Sequence, residues 1–127
     1  MELTERGVCD YTAINLNCGC PSPKVVGQEC FGAALMEDPE LVAILVKHIY
    51  DGCDGRLPVT VKCRIGTFHP TGKGFRLSEY DSIDPKEEYR KLCNFIETAA
   101  SSGIVTHFIV HARVAVVKRR FSPAENR

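Results

Sequence analysis

The stretch Asn17-Cys18-Gly19-Cys20-Pro21 places two thiols on either side of one glycine, with a further proline at Pro23. Thiols so spaced can form a metal clip, part of a disulfide framework, or the seat of a reactive sulfur. A structural zinc site needs a second ligand pair at a set spacing. Cys30 offers a third ligand and nothing supplies that pair, which argues against a metal. The chain has seven cysteines, an odd number, and its start, Met1-Glu2-Leu3-Thr4-Glu5-Arg6, is polar and acidic rather than a secretory signal. The cysteines therefore read as free thiols in a reducing compartment. Cys9, Cys53, Cys63 and Cys93 fit inert buried thiols. Cys20 differs in place, because it follows the end of an apolar run and sits in a loop. A thiol there can serve as acid, base or nucleophile. Position alone leaves that role open against an inert thiol.

Three apolar stretches end in polar pairs: Asn15 and Asn17, Lys62 and Arg64, His111 and Arg113. Side chains two apart on a strand share a face, so each pair points one way. The elements around them alternate. YTAINLN (11–17) reads as a buried strand, and the loop Cys18 to Gly32 follows it. Asp38-Pro39 starts a helix with Leu41, Val42, Leu45, Val46 and Ile49 on its apolar face, and Asp51-Gly52 stops it. VTVKCRI (59–65) is a second strand. Asp84-Pro85 starts a second helix, with Glu87 placed for a capping box. Its apolar stripe is Tyr89, Leu92, Cys93, Ile96, Ala99 and Ala100, and Gly103 ends it. HFIVHAR (107–113) is the third strand. The segment from Thr67 to Ser82, Gly-rich and polar, is a functional loop or an irregular insertion. Strands alternating with helices give an α/β protein with parallel strands. Ligands of such folds bind at the carboxyl ends of the strands. The three polar pairs would then form one rim for an electron-rich, anionic ligand, with Cys20 in the loop above it.

Composition fits that class. At 127 residues, 44% hydrophobic and 25% charged with zero net charge, the chain is globular and shows no overall basic excess for nucleic acid. A nucleic-acid role must rest on a local patch. Lys118-Arg119-Arg120 is one candidate, and a solvated basic loop is the alternative reading of it. No apolar run is long enough to span a membrane.

The segments INLNCGCPSPKVVGQECFGAALMEDPELV, PVTVKCRIG, HFIVHAR and SPAENR resemble the tRNA-dihydrouridine synthases, in particular the branch acting on D-loop positions 20 and 20a. The resemblance implies a (β/α)8 TIM barrel that binds FMN. A whole barrel takes about 250 residues. Residues 1–127 would be a partial barrel of about three parallel strands with two crossover helices, with the C-terminal helical tRNA-binding domain and the FMN phosphate site lying outside. The implied activity is reduction of uridine to 5,6-dihydrouridine in tRNA, with NADPH or NADH as reductant. Reduced FMN gives a hydride to C6, and Cys20 gives a proton to C5. Lys62 and His111 are implied FMN contacts, and Asn17 lies beside flavin and uridine. Arg113 and Arg127 are expected to contact tRNA. No metal and no membrane partner are implied, and the compartment is the cytoplasm, with an organelle as the alternative. Two other classes stay open. One is another FMN-binding TIM-barrel oxidoreductase, such as a dihydroorotate-dehydrogenase-like enzyme. The other is a non-catalytic remnant that associates through its open sheet edges. The short chain is expected to bind FMN weakly by itself.

Overall fold

The computed structural model describes residues 11–22, 31–70 and 81–117. Strand β1 (Ile14–Cys18) is followed by a 3-10 helix (Gly32–Glu37), helix α1 (Pro39–Gly52), strand β2 (Val59–Phe68), helix α2 (Pro85–Ala99) and strand β3 (Val105–Val116). The three strands form one parallel sheet in the order β1-β2-β3. Their parallel direction follows from the connections: each helix carries the chain back to the start of the next strand. This is the expected α/β architecture, and it fits part of a TIM barrel.

Both helices start where the sequence predicts. The Asp38 side chain accepts a hydrogen bond from the Leu41 N–H at 3.0 Å, and Pro39 opens the first turn. Asp84 caps α2 in the same way, accepting from the Lys86 N–H at 3.0 Å, with Pro85 following. The capping box expected of Glu87 gives way to a pairing with Arg90 at 3.1 Å. Past α2 the chain turns at Gly103, whose φ of 73° is the left-handed region that a side chain would strain.

One face of the sheet carries both helices. Val59, Val61 and Cys63 of β2 pack there with Cys18, Leu35 of the 3-10 helix, Val42 and Val46 of α1, and Phe95 and Ala99 of α2. Two details differ from expectation. Phe95, outside the expected stripe of α2, is 1% exposed, whereas Tyr89, inside it, is 67% exposed. The face of α2 that meets the core runs through Phe95, Ile96 and Ala99, so Tyr89 falls on the outer flank. The strands also shift. β1 starts at Ile14 rather than Tyr11, β2 runs on to Phe68, and β3 covers Val105–Val116. Thr67 and Phe68 thus belong to β2 rather than to the Gly-rich segment, of which residues 71–80 lie outside the described part. Among the described residues, no helix is long and apolar enough to cross a membrane.

Candidate active site

The face of the sheet opposite the helices is polar and built in layers. In the lowest, the Asn15 side chain donates to Thr60 Oγ1 at 2.8 Å, so Asn15 is used within the sheet. Above it, Asn17 is the register partner of Lys62, and Lys62 of Ile109. Arg64 is next, opposite His111. Beyond that pair β3 carries an irregularity, with Gly66 opposite Val114, and Arg113 lies within it. Because parallel partners present their side chains to the same face, Asn17, Lys62, Arg64 and His111 gather at the carboxyl end of one face. Asn17, Lys62 and His111 are thus brought together as the sequence predicts. Arg113 joins them electrostatically, because its charge acts on both Arg64 and His111. Arg127, Cys9, Cys30 and the Lys118-Arg119-Arg120 run lie outside the described residues.

The thiols separate by environment. Cys18 and Cys63 are register partners with no exposed surface, on the helix side of the sheet. Burial, with a smaller contribution from Cys63, pushes the Cys18 thiol up to about 12, so it stays protonated and shut away. Burial raises Cys63 too, partly offset by Lys62. Cys20 is only half-buried, on the loop that leaves β1. The two cysteines of the Cys-Gly-Cys stretch therefore serve different surroundings. All five described cysteines are free thiols. Among the described residues, no group of three His, Cys, Asp or Glu side chains is placed to hold a metal ion.

Sequence reasoning placed Arg64 on the rim but missed its burial. Its side chain is 5% exposed, although it lies on the polar face. Its Nε–H donates to the Gly19 carbonyl at 2.9 Å, and its Nη1 is buried with no hydrogen-bond partner among the described residues. Burial and the neighbouring Arg113 lower the Arg64 pKa, while Cys20 opposes them. His111 is held below the ordinary histidine range, first by Arg64, then by lost solvation, Lys62 and Arg113. The rim is therefore a concentrated positive field on a chain of zero net charge. Such a field stabilises an anion or an electron-rich ring edge.

A separate cleft of about 580 Å³ lies on the helix side, between the 3-10 helix, the end of β2 and α2, lined among others by Glu37, Gly66, His69, Glu88 and Phe95. Its charged groups are already paired, Glu37 with His69 and Glu88 with Lys91. The unpaired donor and the cationic rim are on the other face, and that face is the better candidate for chemistry.

The family described as Dihydrouridine synthase (Dus) matches residues 2–127. The chain belongs to the dihydrouridine synthase family. A tRNA-dihydrouridine(20/20a) synthase of Salmonella typhimurium is 42% identical over 117 residues, covering 92% of this chain and 29% of the relative. The protein of the same name from Escherichia coli K12 is also 42% identical, with 92% of this chain and 28% of its own length covered. One from Pseudomonas syringae pv. tomato is 39% identical over the same 92% of the chain. The chain thus spans less than a third of the length of these relatives. No solved structure matches it.

Proposed function

We propose that this chain carries the proton-donating segment of a flavin-dependent enzyme that reduces uridine to 5,6-dihydrouridine in the D-loop of tRNA, at positions 20 and 20a. The observation that carries the reading is the half-buried Cys20 beside the cations Lys62, Arg64 and Arg113, with the imidazole of His111 among them. The residues fit FMN on the ground of the orphaned donor: a buried guanidinium nitrogen without an acceptor, among cations, suits the electron-rich pyrimidine edge of the ring. When bound, FMN supplies the hydride for C6 of the uracil and is itself re-reduced by NADPH or NADH.

The residues of the chain supply the rest. Hydride arrival at C6 leaves negative charge on C5 and O4, and the S–H of Cys20 is the proton source that quenches it. The thiolate left behind is reprotonated from solvent. Lys62 and His111 would hold the flavin edge, where the positive charge of Lys62 would favour an electron-rich ring. Asn17 spends its Oδ1 on the Gly19 N–H at 3.0 Å, so its Nδ2 amide is the group it can offer to ring or base. A base stacked in folded RNA must leave its stack to reach Cys20. Arg113, on the rim, and Arg127 are placed by this reading on the tRNA backbone, where a cation offsets phosphate charge.

The test is a chimera. The segment is grafted into the Escherichia coli relative in place of its matching stretch, and expressed in a strain lacking dihydrouridine at positions 20 and 20a. The parent chimera restores the modification, and Cys20→Ala lowers the rate by about 100-fold or more, the usual worth of a positioned general acid. Normal dihydrouridine levels with Cys20→Ala would refute the role given to this thiol.

A further inference from the structure

Three hydrogen bonds hold the backbone around Cys20. The Asn17 side chain accepts from the Gly19 N–H at 3.0 Å. The Gly19 carbonyl accepts from Arg64 Nε–H at 2.9 Å. The Cys20 carbonyl accepts from the Ala33 N–H, at the start of the 3-10 helix, at 2.8 Å. The Gly19 carbonyl belongs to the peptide plane before the Cys20 Cα, and the Cys20 carbonyl to the plane after it. With a hydrogen bond on each plane, φ and ψ of Cys20 are restrained, which leaves side-chain rotation as the main freedom of the thiol. Pro21 reinforces this by restricting the residue before it to extended backbone.

Arg64 is the one member of this set that reaches the loop from another strand through a side chain. Arg64 is 5% exposed, a guanidinium is costly to bury, and it bonds here to a neutral carbonyl. The arrangement spends that cost on the peptide next to Cys20. Arg64 is itself fixed at its base, since its backbone N–H meets Met36 Sδ at 3.3 Å.

We propose that Arg64 is a positioning residue for Cys20: through the Gly19 carbonyl it locks the peptide that sets where the thiol stands over the strand ends. The functional part of this rests on the reading of Cys20 as proton donor, and the structural part does not.

Two measurements test it. In the 127-residue chain, amide hydrogen exchange is compared for wild type, Arg64→Met and Arg64→Lys. Arg64→Met accelerates exchange at Gly19 and Ala33 by about tenfold or more while the amides of β2 and α1 keep their rates, and Arg64→Lys recovers part of the protection. Should Arg64→Met fail to fold, Arg64→Lys carries the test, with a smaller acceleration confined to Gly19 and Ala33. Unchanged exchange at these two amides overturns the proposal. So does acceleration shared equally by β2 and α1, which would make Arg64 a residue of the fold alone. In the chimera, with FMN saturating and flavin occupancy confirmed by its absorbance, Arg64→Met lowers kcat by about tenfold or more with KM for tRNA within about twofold, and Arg64→Lys restores part of it, since a misplaced acid affects the chemical step. A raised KM with kcat kept would make Arg64 a binding residue and overturn the proposal. If Cys20→Ala keeps activity, the reading of the thiol fails while the exchange result still decides whether Arg64 holds the loop.

Discussion

At the scale of the residue, His111 is the most readable reporter of the rim. Its ring is exposed, so burial alone does not set its charge. Arg64 acts on it first, then lost solvation, Lys62 and Arg113, and all hold its pKa below the ordinary 6.5. Near neutral pH the imidazole is therefore uncharged, a donor at one nitrogen and an acceptor at the other. The sign for stability follows from the same shift. A depressed folded-state value means that the unfolded chain takes up a proton through the ordinary histidine range while the folded chain does not. His111 thus subtracts stability as pH falls through that range, and adds none. An NMR titration should place the His111 midpoint below 6.5 and find it raised in Arg64→Met. A midpoint that ignores the loss of Arg64 would sink the explanation by neighbouring charge. The polar strand ends were legible in the sequence because side chains alternate with period two. The burial of Arg64 was not, because it comes from the Gly19 carbonyl closing over a residue 45 positions away in the chain.

At the scale of the element, helix starts were readable because their signals are local. Asp38-Pro39 and Asp84-Pro85 each put an acceptor and a preset φ next to the free N–H groups of a first turn. Which stripe of α2 meets the sheet is a tertiary choice between two apolar sets that overlap along the helix. The set led by Phe95 prevails over the set led by Tyr89 because Phe95 joins the core cluster that also holds Val61 and Cys63 of β2 and Val42 and Val46 of α1, where a buried aromatic ring removes a large apolar area from water. This choice has a measurable consequence. Phe95→Ala should lower unfolding free energy by about 3–5 kcal/mol, the usual cost of emptying a buried aromatic site. Tyr89→Ala should change it by less than about 0.5 kcal/mol, as for an exposed position away from any cap or ion pair. Urea denaturation of both variants checks the pair. Equal losses would mean that the two stripes share the burial.

At the scale of the whole molecule, the decisive feature is a parallel sheet with two sides of different character and, among the described residues, β3 at its edge. The parallel α/β arrangement was legible, since strands alternating with helices must be joined by crossovers. What the sequence pattern does not convey is how well β3 is covered. HFIVHAR reads as an apolar strand with a polar end, yet Ile109 is 52% and Val110 42% exposed. Their partners explain why this matters on both faces. Ile109 stands beside Lys62 on the polar face, and Val110 beside Cys63 on the helix face. On the helix face, Cys63 is covered by packed side chains while Val110 is open. A twelve-residue edge strand with exposed apolar side chains on both faces is a template for another strand. In a closed barrel the neighbouring strand would take this place. The isolated chain should therefore associate with itself, with sedimentation velocity showing a weight-average mass that rises with concentration. Charge on the edge should oppose this. Ile109→Lys with Val110→Lys places two cations on the strand, one on each face, and should return the chain to a monomer across the same concentrations. An unchanged profile in the double variant would place the contact elsewhere on the molecule, and a wild-type chain that stays monomeric throughout would show the edge to be protected.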